Sequence, residues 1–308
     1  MIEQVTIQAS TAYPLEGILT LPDTKTEKVP AVVFVHGSGP ADKDETIGAN
    51  KLFRDFADGL AKKGIASLRY DKRTYTYGKQ IIQEFGGSLT VEEEIIHDVL
   101  FASRMLKTDP RIDANRVFMI GHSQGGMLAP RIDAEGGDFA GLVILAGTFR
   151  TLEEVIIDQN EDVLKQLDES QYEMASQQVQ ELKDKFNSMV SMSEETAKQT
   201  LLIGSVYAWY LKEMKQQPIK EFLIKTHKPL LVLQGDKDVQ VSIEKDFNQY
   251  QQILEDHDNA TCKLYPGLNH MFMKAMYGTI VRVLEEYNIP QTLDNSVLED
   301  VAKWIMSI

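Results

Sequence analysis

Apolar residues fall along this chain in short unbroken runs, separated by stretches with helical spacing. Ala31-Val32-Val33-Phe34-Val35, Leu142-Val143-Ile144-Leu145-Ala146 and Leu230-Leu231-Val232-Leu233 carry no polar interruption. Such runs suit strands buried on both faces, as in a parallel sheet. Ile65 to Tyr70, Arg116 to Ile120 and Thr261 to Tyr265 read as further strands. Gln4 to Ala9 and Leu15 to Leu21, with Ala12-Tyr13-Pro14 near the turn, predict a β-meander at the start, and the polar stretch Asp23 to Lys28 reads as a connection. Between these strands, Lys51 to Lys63 places Leu52, Phe53, Phe56 and Leu60 at helical spacing and stops at Gly64. Val91 to Leu106 sets Ile95, Val99, Ala102 and Leu106 on one side, and Thr90-Val91-Glu92-Glu93 can form a capping box at its start. Ile243 to Leu254 and Val297 to Ile305 also read as helices. Strands alternating with helices predict a three-layer α/β domain with a mostly parallel sheet of about eight strands.

The alternation stops between Phe149 and His227. This stretch is rich in Glu, Gln, Lys, Met and Leu, has no strand-like run, and reads as several helices in series. It follows the sixth core strand, on the side of the strand C-termini where open α/β sheets bind ligands. The expected organisation is a core of residues 1–148 and 227–308, with residues 149–226 inserted as a helical lid. Val206-Tyr207-Ala208-Trp209-Tyr210 would then line a cavity from above, so Tyr207, Trp209 and Tyr210 are candidate substrate contacts.

Composition narrows the partners. The 308 residues are 43% hydrophobic and 25% charged, enough to bury a sizeable core. The net charge of −14 argues against nucleic acid or an anionic membrane as the main partner. Cys262 is the single cysteine, so neither an internal disulfide nor a cysteine metal site can form. No signal-peptide pattern and no membrane-length apolar run is visible, so a cytoplasmic protein is expected. No His/Asp/Glu cluster has metal-ligand spacing, and no phosphate-cradling Gly-rich motif with a Lys occurs, so neither a metal nor a nucleotide role is expected.

The chemistry concentrates at Gly121-His122-Ser123-Gln124-Gly125. This Gly-x-Ser-x-Gly pattern follows the strand Arg116 to Ile120 and precedes the helix-compatible Gly126-Met127-Leu128-Ala129. Strand, sharp turn and helix are the context of a nucleophile elbow, which lifts the serine hydroxyl above the sheet. A serine at neutral pH needs a base, and the base needs an orienting acid, in the chain order Ser, Asp or Glu, His. Of the six histidines, three follow Ser123. His227 precedes its strand on the wrong end of the sheet, and His257 ends a helix. His270 follows the last strand through Tyr265-Pro266-Gly267-Leu268-Asn269 and is the candidate base. The acid should come from Gln234-Gly235-Asp236-Lys237-Asp238-Val239. Asp238 lies further past the strand end and is preferred to Asp236, which suits a turn-capping role. Oxyanion donors are expected from the N–H of Gln124 and from the loop His36-Gly37-Ser38-Gly39-Pro40, where Ser38 is assigned and His36 braces the loop. Gly37 and His122 complete the candidate substrate contacts.

At this point the chain resembles the α/β-hydrolase family over nearly its whole length. His36-Gly37-Ser38-Gly39-Pro40-Ala41-Asp42-Lys43-Asp44-Glu45-Thr46 and Leu68-Arg69-Tyr70-Asp71-Lys72-Arg73-Thr74, together with Gly121-His122-Ser123-Gln124-Gly125-Gly126, are similar to a group of bacterial carboxylesterases of EstD type. That group is related to serine aminopeptidase-like and cinnamoyl-esterase-like hydrolases. The resemblance implies an α/β-hydrolase fold, Ser123, Asp238 and His270 as triad, an inserted helical lid and no cofactor. The chain departs from many relatives after Tyr70-Asp71, where Arg73-Thr74-Tyr75-Thr76-Tyr77-Gly78 replaces Arg-Gly-x-Gly. The extra Tyr75 and Tyr77 are expected at the pocket rim. The function expected is hydrolysis of a small-molecule ester with small to medium acyl groups through an acyl-enzyme, and a homodimer is compatible with it. The alternatives use the same residues as an aminopeptidase, thioesterase or acyltransferase, or keep the fold for ligand binding without turnover. An aminopeptidase would need acidic lid residues such as Glu153, Glu154, Asp158 or Asp162 placed for a free amino group.

Overall fold

A computed structural model describes residues 1–23 and 28–308; of the expected polar connection, residues 24–27 lie outside the described residues. Eight strands form one sheet: β1 (Ile2–Ile7), β2 (Leu15–Thr20), β3 (Val29–Val35), β4 (Ala66–Tyr70), β5 (Ile112–His122), β6 (Leu142–Leu145), β7 (Leu230–Gly235) and β8 (Ala260–Tyr265). Their spatial order is β1-β2-β4-β3-β5-β6-β7-β8. β2 runs antiparallel to both β1 and β4, and every later pairing is parallel. The apolar runs are buried on both faces because helices cover both. On β3, Ala31, Val33 and Val35 join one core, while Val32 and Phe34 join the other. The two-residue period of a strand divides one continuous run between two layers.

The helices are α1 (Leu52–Lys62), α2 (Arg73–Glu84), α3 (His97–Thr108), α4 (Gln124–Ile132), α5 (Leu152–Leu164), α6 (Glu169–Ser191), α7 (Glu194–Gln199), α8 (Ala208–Gln216), α9 (Ile219–Lys225), α10 (Asn248–Ile253), α11 (Val283–Tyr287) and α12 (Asn295–Ser307). Thr90 and Glu93 meet as the capping motif predicts: Thr90 N donates to Glu93 Oε2 at 2.9 Å, and Glu92 N donates to Thr90 Oγ1 at 3.2 Å. The predicted helix there is continuous in direction but begins with a π-type turn over Glu92–Ile96. Among the described residues, no helix is long and apolar enough to cross a membrane.

Two features of the structure were not expected. Arg73–Glu84 is helical although Gly78 and a tyrosine pair are poor helix formers, and its backbone leaves helical geometry at Tyr77. The segment after β6 is not purely helical: Leu201–Ile203 and Val206–Tyr207 form an antiparallel ribbon across Gly204, whose φ of 55° permits the turn. This segment carries α5 to α9 and has its own apolar cluster, including Phe186, Met189, Ala197, Leu202 and Leu211. Arg150 anchors its start to the core, donating from Nε and Nη2 to both carboxylate oxygens of buried Asp246 at 2.8 Å each.

Candidate active site

Ser123 stands between β5 and α4 with φ 52° and ψ −115°. A residue bearing a Cβ resists this conformation, so its surroundings must hold it there. Ser123 N donates to Leu145 O at 2.9 Å, and Met127 N donates to Ser123 O at 2.8 Å. The flanking glycines make the sharp turn sterically feasible. A Cβ on Gly121 would lie 2.3 Å from Gly125 O, and one on Gly125 would lie 2.1 Å from Val35 O.

His270 and Asp238 arrive from the loops after β8 and β7. His270 Nδ1 lies 2.8 Å from Asp238 Oδ2. The other oxygen, Asp238 Oδ1, accepts from Gln240 N at 2.8 Å and Val241 N at 3.0 Å, so the loop turns around the carboxylate. An ionised carboxylate only accepts, which puts the proton on Nδ1 and leaves Nε2 as the nitrogen with a lone pair. Asn269 fixes the backbone beside His270: its Oδ1 accepts from Met271 N and Met273 N, and its Nδ2 donates to Glu286 Oε1 at 2.7 Å. Asp236 is used differently, accepting from Gly267 N at 2.6 Å and so joining the two loops. His227 is exposed, and His257 Nε2 bonds Thr226 O at 3.1 Å, far from this geometry.

Ser123, His270, Ser38 and Gln124 face one cavity of about 370 Å³. Gln124 opens α4, so its N–H belongs to the first turn, which has no partner within the helix. Ser38 lies on the loop after β3 beside Gly39, whose φ of 81° is open to glycine. His36 braces that loop: its Nε2 meets Asp42 O at 2.9 Å, and burial pushes its pKa down to about 4, which keeps it neutral. Cys262 is no rival nucleophile, since burial pushes its thiol up to about 11.

The candidate substrate contacts divide. Tyr207 and Tyr210 line the cavity. Trp209 does not: it packs in the apolar cluster of the inserted helices, under the Lys198 ammonium 5.1 Å from its ring. Neighbouring positions on a helix diverge by about 100°, and although both residues touch that cluster, only Tyr210 also reaches the cavity. His122 does not line the cavity either. It is buried behind the site, with Nε2 3.0 Å from His270 O and Nδ1 3.1 Å from Glu45 Oε1. Gly37 lies against Ser123 but offers space rather than a hydrogen bond, because Glu45 accepts its N–H at 2.8 Å and Lys72 donates to its carbonyl at 3.0 Å. The expected rim tyrosines turn elsewhere: Tyr77 donates to Pro14 O and stacks edge-on with Tyr13, and Tyr75 is exposed. Thr74, Gly78, Ile81 and Ile82 form that wall instead.

Sequence reasoning missed Glu45, Lys72 and Glu94. For Glu94 a signal was present. It falls with Val91, Ile95, Val99 and Ala102 on the buried stripe of its helix, where a carboxylate demands a partner. Lys72 supplies that partner at 2.9 Å.

The fold agrees with comparisons to known proteins. A family described as "Serine aminopeptidase, S33" matches residues 26–275. Esterase EstD of Thermotoga maritima is 35% identical over 296 residues, 96% of this chain. The chain spans about two thirds of that esterase's length, 66%. The esterase Pf2001 of Pyrococcus furiosus superposes with TM-score 0.59 at 16% identity, over all of this chain and 91% of its own. A proline iminopeptidase of Mycobacterium smegmatis superposes with TM-score 0.58 at 13% identity, over 99% of this chain and 98% of its own. At such identities these structures establish the fold alone. The family match covers most of the chain, the sheet has the α/β-hydrolase order, and the chain therefore belongs to the serine aminopeptidase S33 family of α/β-hydrolases.

Proposed function

We propose that the chain is a serine carboxylic ester hydrolase acting through an acyl-enzyme, with Ser123, His270 and Asp238 as catalytic residues. The observation that carries this reading is the cavity that Ser123 and His270 share, with the Asp238–His270 hydrogen bond behind it. Ser123 Oγ attacks the ester carbonyl while His270 Nε2 takes its proton. Asp238 holds the productive tautomer and stabilises the imidazolium. The N–H groups of Ser38 and Gln124 receive the oxyanion. His270 returns the proton to the leaving alcohol, and water repeats the sequence to release the acid.

The inserted segment 149–226 acts in this reading as a lid. Leu152, Val155, Ile156, Val206 and Leu211 give the cavity an apolar roof suited to a small or medium acyl chain. The family description and the iminopeptidase likeness raise a second reading, removal of an N-terminal amino acid. That reaction needs an uncommitted carboxylate for the substrate ammonium. Among the described residues the one carboxylate on the cavity wall is Glu94, and Lys72 already pairs with it. The four acidic residues considered for that role are engaged elsewhere: Glu153 with Lys215, Glu154 in the cap at Thr151, Asp158 with Arg150 and Lys245, and Asp162 with Lys165. This favours the ester.

The test is hydrolysis of p-nitrophenyl esters of increasing acyl length beside aminoacyl anilides, by wild type and Ser123→Ala. Ester turnover in wild type alone is expected, lower by several orders of magnitude in the variant. Equal ester turnover in Ser123→Ala, or turnover of anilides only, would reject the assignment.

A further inference from the structure

We propose that Lys72 is a positioning residue for the oxyanion hole, and that Glu94 and Tyr210 extend its hold to the inserted helices. The inference rests on the reading of Ser38 as an oxyanion donor.

Lys72 lies just beyond β4, at the start of α2, and its side chain is 3% exposed. Nζ donates to Gly37 O at 3.0 Å and Gly39 O at 3.1 Å, and it lies 2.9 Å from Glu94 Oε1. Two of its N–H donors are used by these carbonyls, and its charge is balanced by the Glu94 carboxylate. The loop after β3 is thus tied down at two carbonyls by one buried cation. The Gly37 N–H is tied as well, to Glu45 Oε1.

The consequence for Ser38 follows from the peptide plane. The bond between Gly37 and Ser38 is trans, so the Ser38 N–H points opposite to the Gly37 carbonyl. With that carbonyl held by Lys72, the N–H is turned away from Lys72. Among the described residues it has no hydrogen-bond partner, and Ser38 lines the cavity. Gly37, on the carbonyl side of this peptide, opposes its rotation least, so the tie from Lys72 supplies a restraint that the residue itself does not.

The tie continues around the cavity. Tyr210 OH donates to Glu94 Oε2 at 2.6 Å, and Gln124 Nε2 donates to the Tyr210 hydroxyl at 2.8 Å. Gly37, Lys72, Glu94, Tyr210 and Gln124 are therefore joined in series by hydrogen bonds and, between Lys72 and Glu94, by an ion pair. This series joins the loop of one oxyanion donor to the residue carrying the other, and it passes through α8 of the inserted segment. Both donors reach their working positions while α8 is docked.

The experiment compares wild type, Lys72→Met and Tyr210→Phe, with circular dichroism to establish folding. Two readouts separate positioning from a purely structural role. One is kcat and KM on a p-nitrophenyl ester. The other is affinity for an aryl trifluoromethyl ketone: Ser123 Oγ adds to its carbonyl carbon, its proton passes to His270, and the carbonyl electron pair becomes an oxyanion. Removing one oxyanion donor costs on the order of 10²–10³ in kcat. Lys72→Met is expected to lose roughly tenfold to hundredfold in kcat, with KM changed less than about threefold and ketone affinity falling in parallel. The shape of the pH profile of kcat/KM should stay the same. Tyr210→Phe should lose about threefold to tenfold in the same readouts. A folded Lys72→Met with wild-type kcat and ketone affinity, or with only KM raised, overturns the proposal. Should Lys72→Met fail to fold, Tyr210→Phe decides by the same two readouts, and unchanged values overturn it. Retained ester hydrolysis in Ser123→Ala would instead defeat the functional reading itself.

Discussion

His122 lies against His270 with ring centroids 4.7 Å apart, and its Nε2 donates to the His270 main-chain oxygen at 3.0 Å. Its Nδ1 donates to Glu45 Oε1 at 3.1 Å. A main-chain oxygen and an ionised carboxylate only accept, so this geometry suits a His122 protonated on both ring nitrogens. Burial opposes that charge, but the Glu45 carboxylate outweighs burial and raises the His122 pKa above 6.5. Burial likewise opposes ionised Glu45, and His122 outweighs it, holding Glu45 below 4.5.

This pair gives the stability of the protein a pH signature. A raised His122 pKa contributes stability that is complete below the unfolded value of 6.5 and is lost as pH rises through the folded value. A lowered Glu45 pKa contributes stability present above 4.5 and lost as pH falls through the folded value. Glu45→Gln keeps an acceptor for Gly37 N–H but removes the charge. It should cost about 3 kcal/mol near pH 5.5, since it leaves a buried imidazolium unpaired. The gap to wild type should narrow above the folded His122 pKa and again in acid. Urea unfolding across pH measures this; a gap independent of pH would show that the pair is uncharged.

Asp238→Asn isolates the tautomer. Asparagine keeps Oδ1 for the N–H groups of Gln240 and Val241, so the loop should hold. Its amide group would face His270 Nδ1 and drive the proton to Nε2, where a general base must be empty. On p-nitrophenyl esters, kcat should fall by about 10³ to 10⁴ with a smaller change in KM. Steady-state kinetics beside a crystal structure of the variant tests this, and a loss under tenfold with the loop intact would remove Asp238 from the catalytic set.

Ile156 tests the proposed acyl cavity. It sits on α5 and lines the roof. Ile156→Ala enlarges the space by three carbons, and one methylene in an apolar pocket is worth about 1–3 kcal/mol. The ratio of kcat/KM for an octanoate over a butyrate ester should rise by about tenfold or more. An unchanged chain-length profile would put the acyl group elsewhere than under α5.

Much of this molecule was legible in the residues because the relevant information is local. Ala31 to Val35 is apolar at five consecutive positions, and only a strand covered on both faces buries such a run. Gly121 and Gly125 mark the turn because a Cβ at either would strike backbone within 2.3 Å. The distinction between Asp236 and Asp238 was legible as well, from how far each lies beyond the end of β7. The helix α2 was not, because Gly78 and two tyrosines are poor helix formers and its backbone leaves helical geometry at Tyr77. The ribbon at Leu201–Tyr207 is too short to register as strands.

What only the tertiary structure decided is which buried charges meet and which way side chains on one helix turn. Glu45 and His122 are 77 residues apart, and Tyr210 and Glu94 are 116 apart. No pattern along the chain links such residues, since their pairing depends on how the layers pack. A buried charge does tell that a partner exists, because isolation in the interior costs too much, but it does not tell which one. Trp209 and Tyr210 make the same point for orientation. The sequence by itself determined an α/β sheet with a serine elbow and an Asp and His to follow it. Packing determined that Tyr210 reaches the cavity while Trp209 does not, because the rotation of α8 about its axis is set by what it docks against.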